Sequence, residues 1–243
     1  MRLSIISGAN LSNIVVECNY YLKLSDKYKN TQFETFLLMC RETAKILMNK
    51  SEADEKVTER ALKNSIPSET LYFHRVIQSY WIGHSERCHH YAEKLLQTSD
   101  GRHHKTIIMF YRGLNAFQMM KRSNASKHKI TARNALDAMK SAATHSKWNY
   151  RNKFLLLEAE TLSFGGKQEE ARSAYAAAIT ASRSSRFVHE QALACELAGF
   201  HYKKLGNNEK ACDFFNHAKK LYTEWGSTMK ADSVSRQTDL LQK

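Results

Sequence analysis

Two short stretches decide the fold: GGKQEEA at residues 165–171 and LGNNEKA at residues 205–211. They repeat one another with an offset of 40 residues, counted from Gly166 to Gly206. In both stretches a glycine turn is followed by acidic or amide side chains, a composition typical of a helix start. The chain therefore carries an internal repeat in which a tight turn leads into a helix.

An amphipathic helix is predicted after each turn. Small and aromatic residues recur there at three-and-four spacing, which places them on one face of a helix. The first stripe consists of Ala171, Ala174, Tyr175, Ala178, Ile179 and Ser182, and the second of Ala211, Phe214, Phe215, Ala218, Leu221 and Tyr222. Further helices are predicted upstream, at 152–163 and 188–204. Because each stripe needs a partner, the repeating unit is a pair of antiparallel helices.

The unit resembles the tetratricopeptide repeat, in which small and aromatic residues recur at fixed offsets. In the last unit the matching residues are Ala198, Gly199, Tyr202, Ala211, Phe215 and Ala218. The period of 40 residues exceeds the usual length of about 34, and the proline that normally follows the second helix is missing. Both departures favour longer helices than an orthodox repeat contains.

The whole chain is predicted to be all-α: an α-α superhelix (tetratricopeptide-like solenoid) of about five antiparallel helix hairpins. One proline and nine glycines are too few for a multi-stranded β protein. The predicted hairpins cover 10–50, 68–99, 105–144, 150–183 and 187–226, with a turn at 123–126, a short helix and linker at 51–67, and a C-terminal extension at 227–243. All of these form a single domain.

The composition also indicates the cellular compartment of the protein. The five cysteines are scattered and form no C-x-x-C pair, which favours a reducing compartment over a disulfide framework or zinc ribbon. No run approaches the roughly 20 apolar residues of a membrane span. A cytoplasmic protein is therefore expected.

Positive charge is concentrated in the middle of the chain. Residues 102–153 contain twelve Lys and Arg residues against one acid, Asp137, a net +11 out of +13 for the chain. Such a region attracts acidic partners. We predict that a concave surface formed by the first helices docks acidic or helical protein segments through Arg112, Lys121, Arg122, Lys127, Lys129, Arg133 and Lys140. Nucleic-acid binding is the alternative, although the cations lack the regular aromatic interleaving of a base-stacking surface.

The stretch HEQALACELAGFHYKKLGNNEKACDFFNHAKKLYTEWGS at residues 189–227 lies in a longer segment, 152–232, that resembles the helical region of very large signalling proteins. Those proteins couple a protein-kinase-like or histidine-kinase module to a predicted ATPase. Arg186 stands where that family usually has glycine, and Ser227 where it has alanine. The resemblance implies a sensory or regulatory repeat domain with an ATPase or kinase module as a partner; whether the chain is stand-alone or part of a larger protein stays open.

Motifs for catalysis are missing from the sequence. There is no G-x-x-x-x-G-K-[ST] phosphate loop, glycine-rich kinase loop, H-R-D or D-F-G, so we expect no enzymatic activity and no cofactor. His84 and Cys88 are spaced like zinc ligands on a helix, but Cys88 occupies the small buried position of a repeat, which favours packing over a metal site. Trp81, Trp148 and Trp225 lie near predicted helix ends and are likewise expected to pack between helices.

Overall fold

A computed structural model describes residues 2–48, 55–64, 66–98, 102–122 and 126–242. Every regular element in these ranges is an α-helix, which confirms the predicted all-α class. The helices are α1 Arg2–Ser7, α2 Leu11–Lys27, α3 Thr31–Leu47, α4 Glu55–Lys63, α5 Ser68–Trp81, α6 Ser85–Gln97, α7 Arg102–Arg122, α8 Ser126–His145, α9 Lys147–Phe164, α10 Gln168–Ser184, α11 Val188–Lys204, α12 Asn208–Trp225 and α13 Thr228–Leu241. Along the chain, neighbouring helices pack against one another in pairs.

One turn geometry recurs between many of these helices. At Gly166 the backbone is left-handed, with φ of 78°, and the N–H of Lys167 donates to the carbonyl of Leu162 at 3.0 Å. This is the Schellman closure of a helix end. The same left-handed residue and returning hydrogen bond occur at Lys29, Gly83, Arg186, Gly206 and Gly226. At Arg186 a residue with a side chain adopts a conformation that suits glycine.

The predicted stripes form the buried faces of two helices. In α10 the buried residues are the six predicted ones, Ala171 to Ser182. In α12, Ala211, Phe215, Ala218 and Tyr222 are buried, whereas Phe214 and Leu221 are only half-buried. Gly199 of α11 faces Phe215 so closely that a Cβ atom there would lie 2.6 Å from the ring. The absence of a side chain at Gly199 therefore allows the short distance between α11 and α12.

Helices near the N-terminus also contact helices near the C-terminus. The Ser227 hydroxyl donates to the carbonyl of Leu47 at 2.5 Å, and the Asn10 amide donates to the carbonyl of Glu224 at 2.8 Å. Trp81, at the end of α5, packs on Trp225, with ring centroids 5.0 Å apart. Contacts in repeat arrays usually join neighbouring units only. In this chain, by contrast, residues from both ends pack together and share a core with the helices that lie between them.

The three tryptophans differ in their surroundings. Trp81 and Trp225 are buried between helices, as predicted. Trp148, in the first turn of α9, is 60% exposed, so the packing prediction was wrong for this residue. Its ring lies at a shallow groove beside Ala176 and Ala177 of α10, whose side chains are too small to cover it.

Two segments that were predicted to lie outside the hairpins form helices where they are described. The 51–67 segment contains α4, while residues 51–54 and 65 lie outside the described residues. The 227–243 extension forms α13, which packs against α12 and buries Ala231 and Val234. The predicted 123–126 turn falls mostly on residues 123–125, also outside the described residues. Among the helices described, none has an apolar stretch that could cross a bilayer.

Candidate docking groove

The predicted basic residues lie on α7 and α8 but have different environments. Arg112 contacts Glu93 of α6 through Nε at 2.8 Å and a terminal nitrogen at 2.7 Å. Its side chain is only 17% exposed. Both nitrogens contact the same oxygen of Glu93, Oε1, and this ion pair connects α6 to α7, so Arg112 is not part of an exposed basic surface.

Lys121 also stands apart from the other cations. It is an exposed residue that lines an inner cavity of about 200 Å³, partly open to solvent, between α5, α7, α9 and α11. These are the first helices of four predicted hairpins, and their inner faces, on which we predicted a concave docking surface, line this small cavity. A cavity of this size cannot take a protein segment.

The remaining five predicted residues, Arg122, Lys127, Lys129, Arg133 and Lys140, are exposed. Lys129 and Arg133 line a groove of about 470 Å³ formed by α7, α8 and α9. Arg133 also pairs with Asp137 at 3.1 Å, but both side chains are more than half exposed, so the pair contributes little to stability. Of the predicted set, these two cations share the groove.

The groove has an apolar interior. Phe117 and Met120 of α7 are buried beneath it, and Phe164, at the end of α9, is 40% exposed. The rings of Phe117 and Phe164 pack with centroids 5.7 Å apart. Lys204 of α11 lies over the Phe164 ring at 5.9 Å and adds a further positive charge nearby. An aromatic pocket with cations around it suits an apolar side chain flanked by carboxylates.

The start of α8 adds to this positive potential. Lys127 and Lys129 lie within its first turn, which contains no acidic residue. The N-terminal end of a helix is itself electropositive, so these cations lower helix stability slightly. Burial, and then the charge of Lys127, lowers the pKa of the neighbouring His128. Helix stability therefore does not explain the cations at this end of α8.

A second polar cluster, inside the molecule, has a structural role. Glu190 of α11 accepts hydrogen bonds from Asn152 and, at 2.8 Å, from Lys153 of α9. Lys153 and Glu190 are almost fully buried, and the pair connects the two helices. His189 is also buried, 5.3 Å from the Trp225 ring, and burial lowers its pKa to about 4. The hydrogen bonds from Asn152 and Lys153 to Glu190 thus hold α9 and α11 together beneath the surface.

The His84–Cys88 spacing does not form a metal site. Cys88 is fully buried, and burial raises the pKa of its thiol to about 12. A protonated, enclosed thiol is a poor metal ligand. Across the part of the chain that the structure describes, no three His, Cys, Asp or Glu side chains are arranged to hold a metal ion.

The charge pattern of the sequence predicted the cations of the groove, but the repeat pattern did not indicate its apolar residues. Phe117, Met120 and Phe164 lie outside the stripes that defined the repeat. The one local signal was Phe164 itself, a large apolar residue directly before the Gly165–Gly166 turn. Comparison of the chain with protein-family models, with curated proteins and with solved structures finds no match in any of the three.

Proposed function

We propose that this chain is a non-catalytic protein–protein interaction scaffold that docks acidic, helical segments of partner proteins. Its scaffold is a tetratricopeptide-like α-α superhelix of about five helix hairpins. The observation that carries the proposal is the groove between α7, α8 and α9, in which an aromatic pocket lies beside Lys129 and Arg133.

The chemistry of the groove selects the kind of segment. Phe164 offers exposed apolar surface to a side chain of a partner helix, above the buried Phe117 and Met120, an arrangement typical of helix-in-groove recognition. Lys129 and Lys127 form no ion pair within the described residues, so acidic residues beside that anchor gain partners without breaking existing ones. A segment with both features gains specificity from charge and affinity from apolar burial.

The resemblance of residues 152–232 to large signalling proteins supports a regulatory setting. In that setting an ATPase or kinase module is the partner, and the chain acts as a sensory or regulatory repeat domain. This segment forms part of the groove, since Thr161 and Phe164 belong to it, whereas Phe117 precedes it. Docking therefore places a partner directly against the region that carries the resemblance.

Capture of partners from a native lysate, followed by mass spectrometry and peptide mapping, tests the proposal. The wild-type chain should retain proteins through acidic segments that contain an apolar anchor. A Lys129→Glu/Arg133→Glu variant and a Phe164→Ala variant should each retain at least tenfold less of the same proteins. The matched control is Lys23→Glu/Lys220→Glu, which reverses two exposed charges on α2 and α12.

Salt dependence separates this function from nucleic-acid binding. Docking through two or three cations and an apolar anchor gives a shallow decrease of affinity with salt, whereas contacts to many phosphates give a steep one. Equal capture by the control and groove variants would contradict the proposal. Recovery of nucleic acid with a steep salt dependence would favour the alternative.

A further inference from the structure

The inner cavity is a second, separate site. It has a volume of about 200 Å³ and lies between α5, α7, α9 and α11, with Lys230 of α13 at one side. Trp81, Phe200 and three leucines form its apolar walls. The volume is far larger than a single water molecule requires. The cavity therefore has room for a small organic molecule.

One part of the cavity wall is already a complete polar cluster. Glu196 accepts hydrogen bonds from the Tyr222 hydroxyl at 2.5 Å and from Lys230 at 2.7 Å. Lys230 also lies over the Tyr222 ring at 5.3 Å and near the Trp81 ring at 6.0 Å. Each oxygen of Glu196 therefore already accepts one hydrogen bond from a neighbouring side chain.

Other polar groups around the cavity have unused hydrogen-bonding capacity. Tyr80 is 4% exposed, and its buried hydroxyl forms no hydrogen bond within the structure. A buried polar group without a partner lowers stability, so such groups usually have one. Glu160 is buried and accepts a hydrogen bond at one carboxylate oxygen, from Tyr175, which leaves the other oxygen available.

Lys121 and Glu160 present opposite charges without a direct bond. Lys121 lies on α7 and Glu160 on α9, and both line the cavity. Burial raises the pKa of Glu160, and the charge of Lys121 opposes that effect. The two groups nevertheless form no ion pair within 4 Å. A ligand that carries both charges could bridge them.

We propose that the inner cavity binds a small zwitterion, an α-amino acid with an apolar or aromatic side chain. Its ammonium group contacts Glu160, its carboxylate contacts Lys121, and its side chain lies against Trp81 and Phe200. A ligand with only one charge would leave either Glu160 or Lys121 unpaired, which lowers its affinity.

Isothermal titration calorimetry of the full chain tests this site. The probes are L-leucine, L-phenylalanine and L-tryptophan, together with 3-phenylpropionate, which lacks the ammonium group, and 2-phenylethylamine, which lacks the carboxylate. At least one amino acid should bind, and L-phenylalanine should bind about tenfold or more tightly than either of its analogues, because each analogue loses one charged contact.

Two variants assign the contacts. Glu160→Gln keeps an acceptor for Tyr175 and should weaken amino-acid binding about tenfold while leaving 3-phenylpropionate unaffected. Lys121→Met changes an exposed side chain and should weaken both amino acids and 3-phenylpropionate. Lys140→Met, an exposed cation of α8 away from the cavity, is the control for lost charge.

The proposal is overturned if none of the three amino acids binds, if L-phenylalanine and its analogues bind equally, or if neither variant changes affinity. This site stands independently of the docking groove. Phe164→Ala should lower partner capture at least tenfold and leave amino-acid affinity unchanged, so failure of one proposal is distinguishable from failure of the other.

Discussion

The contact between α11 and α12 allows a quantitative test of the helix packing. A methyl group on Gly199 would lie 2.6 Å from Cε1 and 2.7 Å from Cδ1 of Phe215. Both distances are well below van der Waals contact. The Phe215 ring is fully buried and packs on Phe200 with centroids 5.1 Å apart, so it cannot move aside without disturbing its neighbours. Gly199→Ala should therefore strain this interface.

Two opposing terms set the magnitude. Alanine in a helix interior is more favourable than glycine by about 1 kcal/mol. Overpacking a close-packed core costs about 1–3 kcal/mol. Because two ring atoms would overlap with the new methyl group, we take the upper part of that range, which leaves a net loss of about 2 kcal/mol. For a chain of this length that loss lowers Tm by about 4–8 °C.

Thermal and urea unfolding followed by circular dichroism measure the effect, and a double-mutant cycle with Phe215→Leu isolates its cause. In the Phe215→Leu background the smaller side chain leaves room for a methyl group. The same Gly199→Ala change should then stabilise the chain by about 1 kcal/mol, a reversal of sign. If Gly199→Ala is as stable as the wild type in the original background, the packing argument is wrong.

Three further predictions concern the turn at Arg186, the hydrogen bond between Ser227 and Leu47, and the effect of pH on stability. Arg186→Gly should stabilise the chain by about 1 kcal/mol in urea unfolding, because glycine adopts the φ of 59° without strain; an Arg183→Gly control inside α10 should destabilise it instead. Ser227→Ala should lose about 1 kcal/mol by removing the hydrogen bond to the Leu47 carbonyl, and a similar loss in an exposed Ser184→Ala control would contradict that assignment. His189 has its pKa lowered by burial from the ordinary 6.5 to about 4, so its contribution to stability is complete above pH 6.5 and is lost as pH falls toward 4, by about 3 kcal/mol in total. Urea unfolding between pH 7.5 and 4.5 checks this, and a His189→Asn variant that kept the full slope would refute it.

The sequence by itself determined the local structure of this protein. Three-and-four spacing identified the buried face of α10 residue by residue, because helical periodicity is a property of neighbouring positions. Gly166 and Gly206 likewise predicted turns, since a left-handed residue after a helix end favours glycine locally. The predicted hairpins also left a connection at 184–186, but no glycine there indicated that Arg186 would adopt the same left-handed conformation.

Tertiary structure alone decided which residues share a surface. The charge count in 102–153 could not separate Arg112, paired with Glu93, or Lys121, at the inner cavity, from Lys129 and Arg133 at the groove. Nor could it bring Leu47 to Ser227, 180 residues further along the chain. Such contacts depend on the summed angles between many successive helices, to which each local pattern contributes only one small term.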